Sequence, residues 1–176
     1  MRNKYIDLIQ QTFDFPVEEF QVDEYGELSF HDIPLMELVK QYGTPLKFIY
    51  LPKISENIRR ARSWFNVAIA KVDYKGKYYY CYCTKSNHFQ HVLDEVVKND
   101  VHIETSSQFD INIIETLEEQ GKITKDKFVV CNGFKRDVYL ENIAGLINNG
   151  WTNVIPVFDN QREVNQLTQF TDKKFK

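Results

Sequence analysis

Lys85 follows Tyr78-Tyr-Tyr-Cys-Tyr-Cys-Thr84, a continuous run of strand-favouring residues. Alternation along such a strand sends Tyr79, Cys81, Cys83 and Lys85 to one face and Tyr78, Tyr80, Tyr82 and Thr84 to the other. A lysine held above small apolar side chains loses hydration, which lowers its pKa and frees a neutral amine. That amine can condense with an aldehyde or ketone to form a Schiff base. A solvated lysine after a strand is the competing reading, and the local pattern leaves both open. Three further polar residues, Glu104, Asn132 and Asp159, close apolar runs of the same kind. Glu104 is suited either to fixing a cationic partner or to sitting at a helix N-terminus, where the dipole favours a carboxylate. Ser107 is placed to cap a helix, a role compatible with phosphate binding at the same helix start. Asn132-Gly133 reads first as a strand-to-helix turn. His31, His88, His91 and His102 share no metal or triad spacing and are assigned no function.

The elements that must position these residues have a regular rhythm. Lys85, Glu104, Asn132 and Asp159 are separated by 19, 28 and 27 residues. Between them lie helical patterns: Val92, Leu93, Val96 and Val97; then Ile111, Ile114 and Leu117, opened by Ser107 with Asp110 and stopped by Gly121. The next pattern holds Val138, Leu140, Ile143, Ala144 and Ile147 before Gly150. The last, Val164, Leu167 and Phe170, is capped by Asn160 with Glu163. The strands read as Tyr78–Thr84, Val101–Thr105, Phe128–Cys131 and Val154–Phe158, with Pro156 weakening the last. Successive βα units predict a parallel sheet with right-handed crossovers. A doubly wound nucleotide-binding sheet would favour a glycine-rich turn after the first strand. The turn here, Thr84-Lys-Ser-Asn-His88, has no glycine, so a closed (β/α)8 barrel is the expected α/β fold. Four of the eight units are present, and a fifth strand could start in Asp172–Lys176. A half barrel would leave long strand edges exposed, so the chain is expected to be the first half of a longer one. Upstream, Phe20–Phe30 suggests a hairpin around Tyr25-Gly26. Pro34 opens a short helix that ends at Gly43, and Leu46–Tyr50 reads as a strand. After Pro52 an amphipathic helix carries Ile54, Ile58, Ala61, Phe65, Ala68 and Ile69.

Composition narrows the function classes. A net charge of −3, with both signs interspersed and no basic stripe, argues against nucleic acid as a partner. No stretch approaches the roughly 20 apolar residues of a membrane span, and the first residues lack the apolar core of a signal peptide. Three cysteines, Cys81, Cys83 and Cys131, sit in strand-like runs. An odd number there points to a reducing, cytoplasmic setting and to small buried residues, not to disulfides. Cys81-x-Cys83 has no matching Cys or His pair, so no metal site is expected.

Tyr82-Cys-Thr-Lys-Ser-Asn87 resembles the Tyr-x-x-Lys-x-Asn signature of the fold-type III pyridoxal phosphate decarboxylases, which share an alanine racemase-like barrel. Gln41-Tyr-Gly-Thr-Pro-Leu46 is similar to the segment preceding that barrel. Ile103-Glu-Thr-Ser-Ser-Gln-Phe-Asp110 is similar to the second-strand block, where an acidic residue is followed by a serine. Val130-Cys-Asn-Gly-Phe-Lys135 resembles a block of the biosynthetic arginine decarboxylases in particular. The pattern departs at Ser106-Ser107, where that family usually has Gly-Ser.

The resemblance covers roughly residues 41–165 and implies a division of the chain. Residues 1–50 would be a lead-in packing on a C-terminal β domain, and 51–176 the first half of the cofactor barrel. It implies pyridoxal 5'-phosphate carried by Lys85, with Glu104 beside it and Ser107, Asn87 and Asn132 as further cofactor contacts. It also implies decarboxylation of L-arginine to agmatine in polyamine biosynthesis, a small-molecule amino-acid substrate, and a homodimer or higher homo-oligomer when full length. The phosphate loop, the acid paired with the pyridine nitrogen and the β domain would lie beyond Lys176, so these residues alone are expected to be inactive. Alternative substrates are diaminopimelate, ornithine and carboxynorspermidine. Two other classes are a non-catalytic pyridoxal phosphate barrel and a Schiff-base aldolase, whose lysine more often lies on a later strand.

Overall fold

A computed structural model of the chain describes residues 19–176. They divide into two compact units, with the boundary between Ile49 and Tyr50.

In the first unit β1 (Phe20–Val22) and β2 (Leu28–Phe30) pair antiparallel, with Phe20 opposite Phe30, as the alternation predicts. The turn is built locally: Asp23 Oδ1 accepts from the Tyr25 and Glu27 amides, each at 2.9 Å, while Gly26 takes φ +84°. A third strand, β3 (Ile33–Pro34), has no counterpart in the sequence reading. It doubles back through His31 and Asp32, both at positive φ (46° and 63°), which is the backbone of a tight hairpin turn. His-Asp carries a weaker turn signal than Asn-Gly, so the sequence did not announce it. Helix α1 (Leu35–Tyr42) ends as expected at Gly43, where φ is +80°. Leu46–Tyr50, by contrast, is not a strand but an irregular segment leading into the next helix.

The second unit opens with α2 (Pro52–Lys71), which starts at a proline, the residue best tolerated in a first turn. It packs on α3 (Gln90–Val97) through Ser55 and Ile58, its buried positions. Four strands then alternate with helices. They are β4 (Cys81–Cys83), β5 (His102–Thr105), β6 (Val129–Cys131) and β7 (Val154–Pro156). The helices after α3 are α4 (Gln108–Glu119), α5 (Asp137–Asn148) and α6 (Gln161–Phe170). All neighbouring strands pair parallel, in the order β4-β5-β6-β7. The ladders are shorter than the apolar runs that announced them. Pro156 is accommodated because Val157 donates to Cys131, which leaves the proline nitrogen facing the outer edge of β7, away from β6.

Sheet order equal to chain order has a geometric consequence. Right-handed crossovers that always step the same way deliver every helix to the same face of the sheet. Burial agrees: Ile103, Thr105, Val129, Cys131, Val154 and Pro156, which alternate onto one face, are buried. Ile111, Ile114, Leu140, Ile143 and Leu167 of the helices complete that core. Each such side chain contributes about 1.5–3 kcal/mol by leaving water. Cys81, Cys83, His102, Glu104, Val130 and Ile155 form the opposite face and are only half-buried. For Cys81 and Cys83 this corrects the expectation of buried residues, since they lie on the face opposite the helices; Cys131 is the buried cysteine. Among the described residues no helix is long and apolar enough to cross a membrane.

Candidate functional site

The C-terminal ends of the four strands come together at one rim of the sheet, and the register says how. Cys83 lies opposite Glu104, and Glu104 opposite Val130. Lys85 is two residues beyond Cys83, and Asn132 two beyond Val130, so these polar residues top three adjacent strands.

The turn bearing Lys85 is wired by its neighbours. The Tyr82 hydroxyl donates to the Asn87 carbonyl at 2.8 Å, and the Thr84 amide and hydroxyl donate to the Glu104 carbonyl at 3.0 and 3.1 Å. The Ser86 amide and hydroxyl donate to the Cys83 carbonyl at 3.1 and 2.8 Å. Asn87 Oδ1 accepts from the Phe89 amide at 3.0 Å, tying the loop to the start of α3. Tyr82, Thr84, Ser86 and Asn87 are thus all engaged, while the Lys85 ammonium is exposed and has no hydrogen bond or ion pair among the described residues. The desolvation expected for a lysine at a barrel mouth is not present here, because nothing among the described residues encloses this end of β4.

Glu104 is oriented from the next strand. Asn132 Nδ2 donates to Glu104 Oε1 at 3.0 Å, and Asn132 Oδ1 accepts from the Gly133 amide at 2.8 Å. The Asn132 amide in turn donates to the Thr105 carbonyl at 2.9 Å. Gly133 has φ +79°, and a Cβ there would lie 2.5 Å from the Ser106 carbonyl oxygen. Only glycine lets the β6–α5 turn press on the β5–α4 turn this closely. The carboxylate and the amide that the sequence placed on separate strands are therefore one hydrogen-bonded unit. The Glu104 charge raises the thiol pKa of neighbouring Cys81, second to the effect of burial.

Ser107 does what its spacing predicts at a helix start. Asp110 Oδ2 accepts from the Ser106 and Ser107 amides at 2.7 and 2.9 Å, and from their hydroxyls at 3.1 and 3.3 Å. Ser107 is the N-cap of α4, and both serine hydroxyls are directed to this carboxylate. Asp159 is exposed; its amide donates to Glu163 Oε2 at 3.0 Å.

Lys135 and Glu163, whose burial no local sequence pattern signals, sit just behind this rim with side chains 0% and 2% exposed. The Lys135 ammonium donates to the carbonyls of Gly133, at 2.8 Å, and Val157. Burial pushes its pKa down, against the pull of the Glu163 charge. Beside it the Tyr139 hydroxyl shares a 2.8 Å hydrogen bond with Thr105 Oγ1, and burial raises its pKa.

No family model matches the chain. Among curated proteins it is 28% identical over 123 residues to biosynthetic arginine decarboxylase 2 of Synechocystis sp., a match covering 62% of this chain and 18% of that protein. It is 26% identical over 118 residues to the biosynthetic arginine decarboxylase of Parasynechococcus marenigrum, with the same two shares. Among solved structures it is similar to the biosynthetic arginine decarboxylase SpeA from Campylobacter jejuni, with a TM-score of 0.65 at 19% identity, covering 100% of this chain and 30% of that one. The chain spans 18% of the length of the curated relatives it matches. At 19% identity the structural likeness concerns the fold alone. In sequence and in fold, this chain resembles the biosynthetic arginine decarboxylases over one part of their length.

Proposed function

We propose that residues 51–176 are the first half of a closed (β/α)8 barrel that carries pyridoxal phosphate on Lys85, within a longer enzyme that decarboxylates L-arginine to agmatine. The observation that carries this reading is the Lys85 amine, unpartnered among the described residues, two residues beyond Cys83, which ends β4 opposite Glu104, the carboxylate held by Asn132. The curated relatives named as biosynthetic arginine decarboxylases support the choice of reaction and substrate. The single-sided placement of the helices supports a barrel over a doubly wound sheet, which would need helices on both faces.

The residues present fit such a cofactor. An aldehyde needs an accessible amine that no neighbour competes for, and the wiring of Tyr82, Thr84, Ser86 and Asn87 leaves Lys85 in that state. Lys85 would hold the cofactor covalently and would carry a proton to and from the substrate carbon. Glu104, oriented by the Asn132 amide at Oε1, would keep a negative charge beside the cationic groups of the site. Asn87 would act on Lys85 only through the loop it caps, and Ser107 through the helix start it organises. Bound pyridoxal phosphate supplies an electron sink for the pair left behind when a carboxylate departs as carbon dioxide.

The test uses the complete protein, taken as a cytoplasmic homodimer or higher oligomer. Visible absorption with pyridoxal phosphate, borohydride reduction and peptide mapping should place a covalent adduct on Lys85. An adduct on another lysine, or none, would overturn the cofactor assignment. A panel of arginine, ornithine, diaminopimelate and carboxynorspermidine then fixes the substrate; faster turnover of any other than arginine would replace it. The 176 residues alone should show no decarboxylation.

A further inference from the structure

The buried pair formed by Lys135 and Glu163 makes no hydrogen bond to the Lys85 amine or the Glu104 carboxylate of the proposed site. Taking both charges out of water costs several kcal/mol, and apolar side chains of similar volume can often replace such a pair without loss of stability. What the pair supplies is direction. Glu163 Oε1 accepts from the Lys135 amide at 3.1 Å and Oε2 from the Asp159 amide at 3.0 Å, with Oε2 3.9 Å from the Lys135 ammonium. The ammonium spends its donors on the carbonyls of Gly133 and Val157. Two side chains thus tie the β6–α5 turn to the β7–α6 turn through backbone groups on both sides.

The tie continues to the rim. Gly133, held by its carbonyl, lies against the Ser106 carbonyl with no room for a methyl group. Asn132, the residue before it, holds Glu104. The Asn132 carbonyl accepts from Tyr139, whose hydroxyl also meets Thr105, next to Glu104 on β5. We infer that the Lys135–Glu163 pair is a positioning device for Glu104: by clamping Gly133 it fixes Asn132, and through Asn132 the direction of the Glu104 carboxylate. The functional weight of this inference rests on Glu104 lying beside the cofactor; its structural content does not.

Hydrogen exchange by mass spectrometry on the complete protein, without cofactor, tests it. In Lys135→Met, peptides covering 104–107 and 131–136 should exchange roughly tenfold faster or more, as expected when a cooperative local unit loses its tie. Peptides covering 81–97 should stay within about twofold of the wild type, because β4 and α3 do not share the tie. If Lys135→Met does not fold, the double variant Lys135→Met/Glu163→Leu leaves no lone buried charge and carries the same expectation. The apparent affinity for pyridoxal phosphate should fall about tenfold, the fold-change expected of a lost supporting contact. Unchanged exchange at 104–107, or faster exchange spread evenly over 50–176, would overturn the positioning role. Loss of the wild-type adduct on Lys85 would instead strike the cofactor reading, and the exchange result would still decide the inference.

Discussion

Replacing Gly133 by alanine is the smallest change that should damage the rim. The residue has φ +79°, and the added Cβ would sit 2.5 Å from the Ser106 carbonyl oxygen, nearer than a carbon can approach. The left-handed backbone costs an alanine about 1–2 kcal/mol. Forcing two turns apart adds about 1–3 kcal/mol, as overpacking does elsewhere. The two together give a loss of roughly 2–5 kcal/mol, which should move the urea midpoint down by about 1–2 M at the slope usual for a small domain. Gly145 is the internal control. It lies within α5, its φ is not positive, and a Cβ there meets nothing within 4 Å. Gly145→Ala should therefore stabilise, by about 0.5–1 kcal/mol, because alanine gives up less freedom than glycine in a helix. Urea unfolding of the two variants side by side, read by circular dichroism, makes the comparison. A Gly133→Ala midpoint equal to the wild type would show that the β6–α5 turn can move off Ser106, and the close approach would then have no bearing on how Glu104 is held.

Three other outcomes follow from particular contacts. Tyr82→Phe removes the hydroxyl donated to Asn87 and should cost about 0.5–1.5 kcal/mol, with faster proteolysis after Lys85 as the local readout; unchanged cleavage would mean the loop is held by Thr84 and Ser86 alone. His102 has its pKa lowered from 6.5, first by burial and then by Lys127, with Asp100 opposing. The unfolded chain therefore binds a proton first, so this stabilisation is complete above about pH 6.5 and is lost as pH falls towards the native value. His102→Asn keeps an acceptor for the Phe128 amide, which Nδ1 meets at 3.0 Å, and should flatten the pH dependence of the melting temperature below pH 6.5. Cys131 is buried and its thiol is pushed up to about 12, so a thiol reagent at neutral pH should label it only after unfolding; rapid labelling of native protein would show that the core opens.

Much of the frame was legible because burial writes itself into periodicity. The helical repeats in 92–97, 111–117, 138–147 and 164–170 each became a helix over the same sheet face, and the residues closing the apolar runs became neighbours at one rim. Strand lengths were less legible, since an apolar run such as Tyr78–Thr84 says which residues favour extension but not how many find a laddered partner. Leu46–Tyr50 failed as a strand for the same reason. The burial of Lys135 was not legible because a lysine in a loop reads as solvated. Its burial depends on Glu163, 28 residues away, which the sequence presented only as the partner of the Asn160 cap. The Asn132–Glu104 bond is likewise a product of register, and no local pattern announces a contact made between strands.

Strand order that follows chain order also sets the order in which the molecule can be assembled. Each βα unit emerging from the ribosome finds its docking edge already made by the one before, so no long loop has to close before contacts reward it. The growing end is correspondingly adhesive at every stage. The outer edge of β7 is one such edge, and there the Lys176 amide donates to the Val154 carbonyl at 3.3 Å. An interrupted synthesis would expose the same hydrogen-bonding row to other nascent chains.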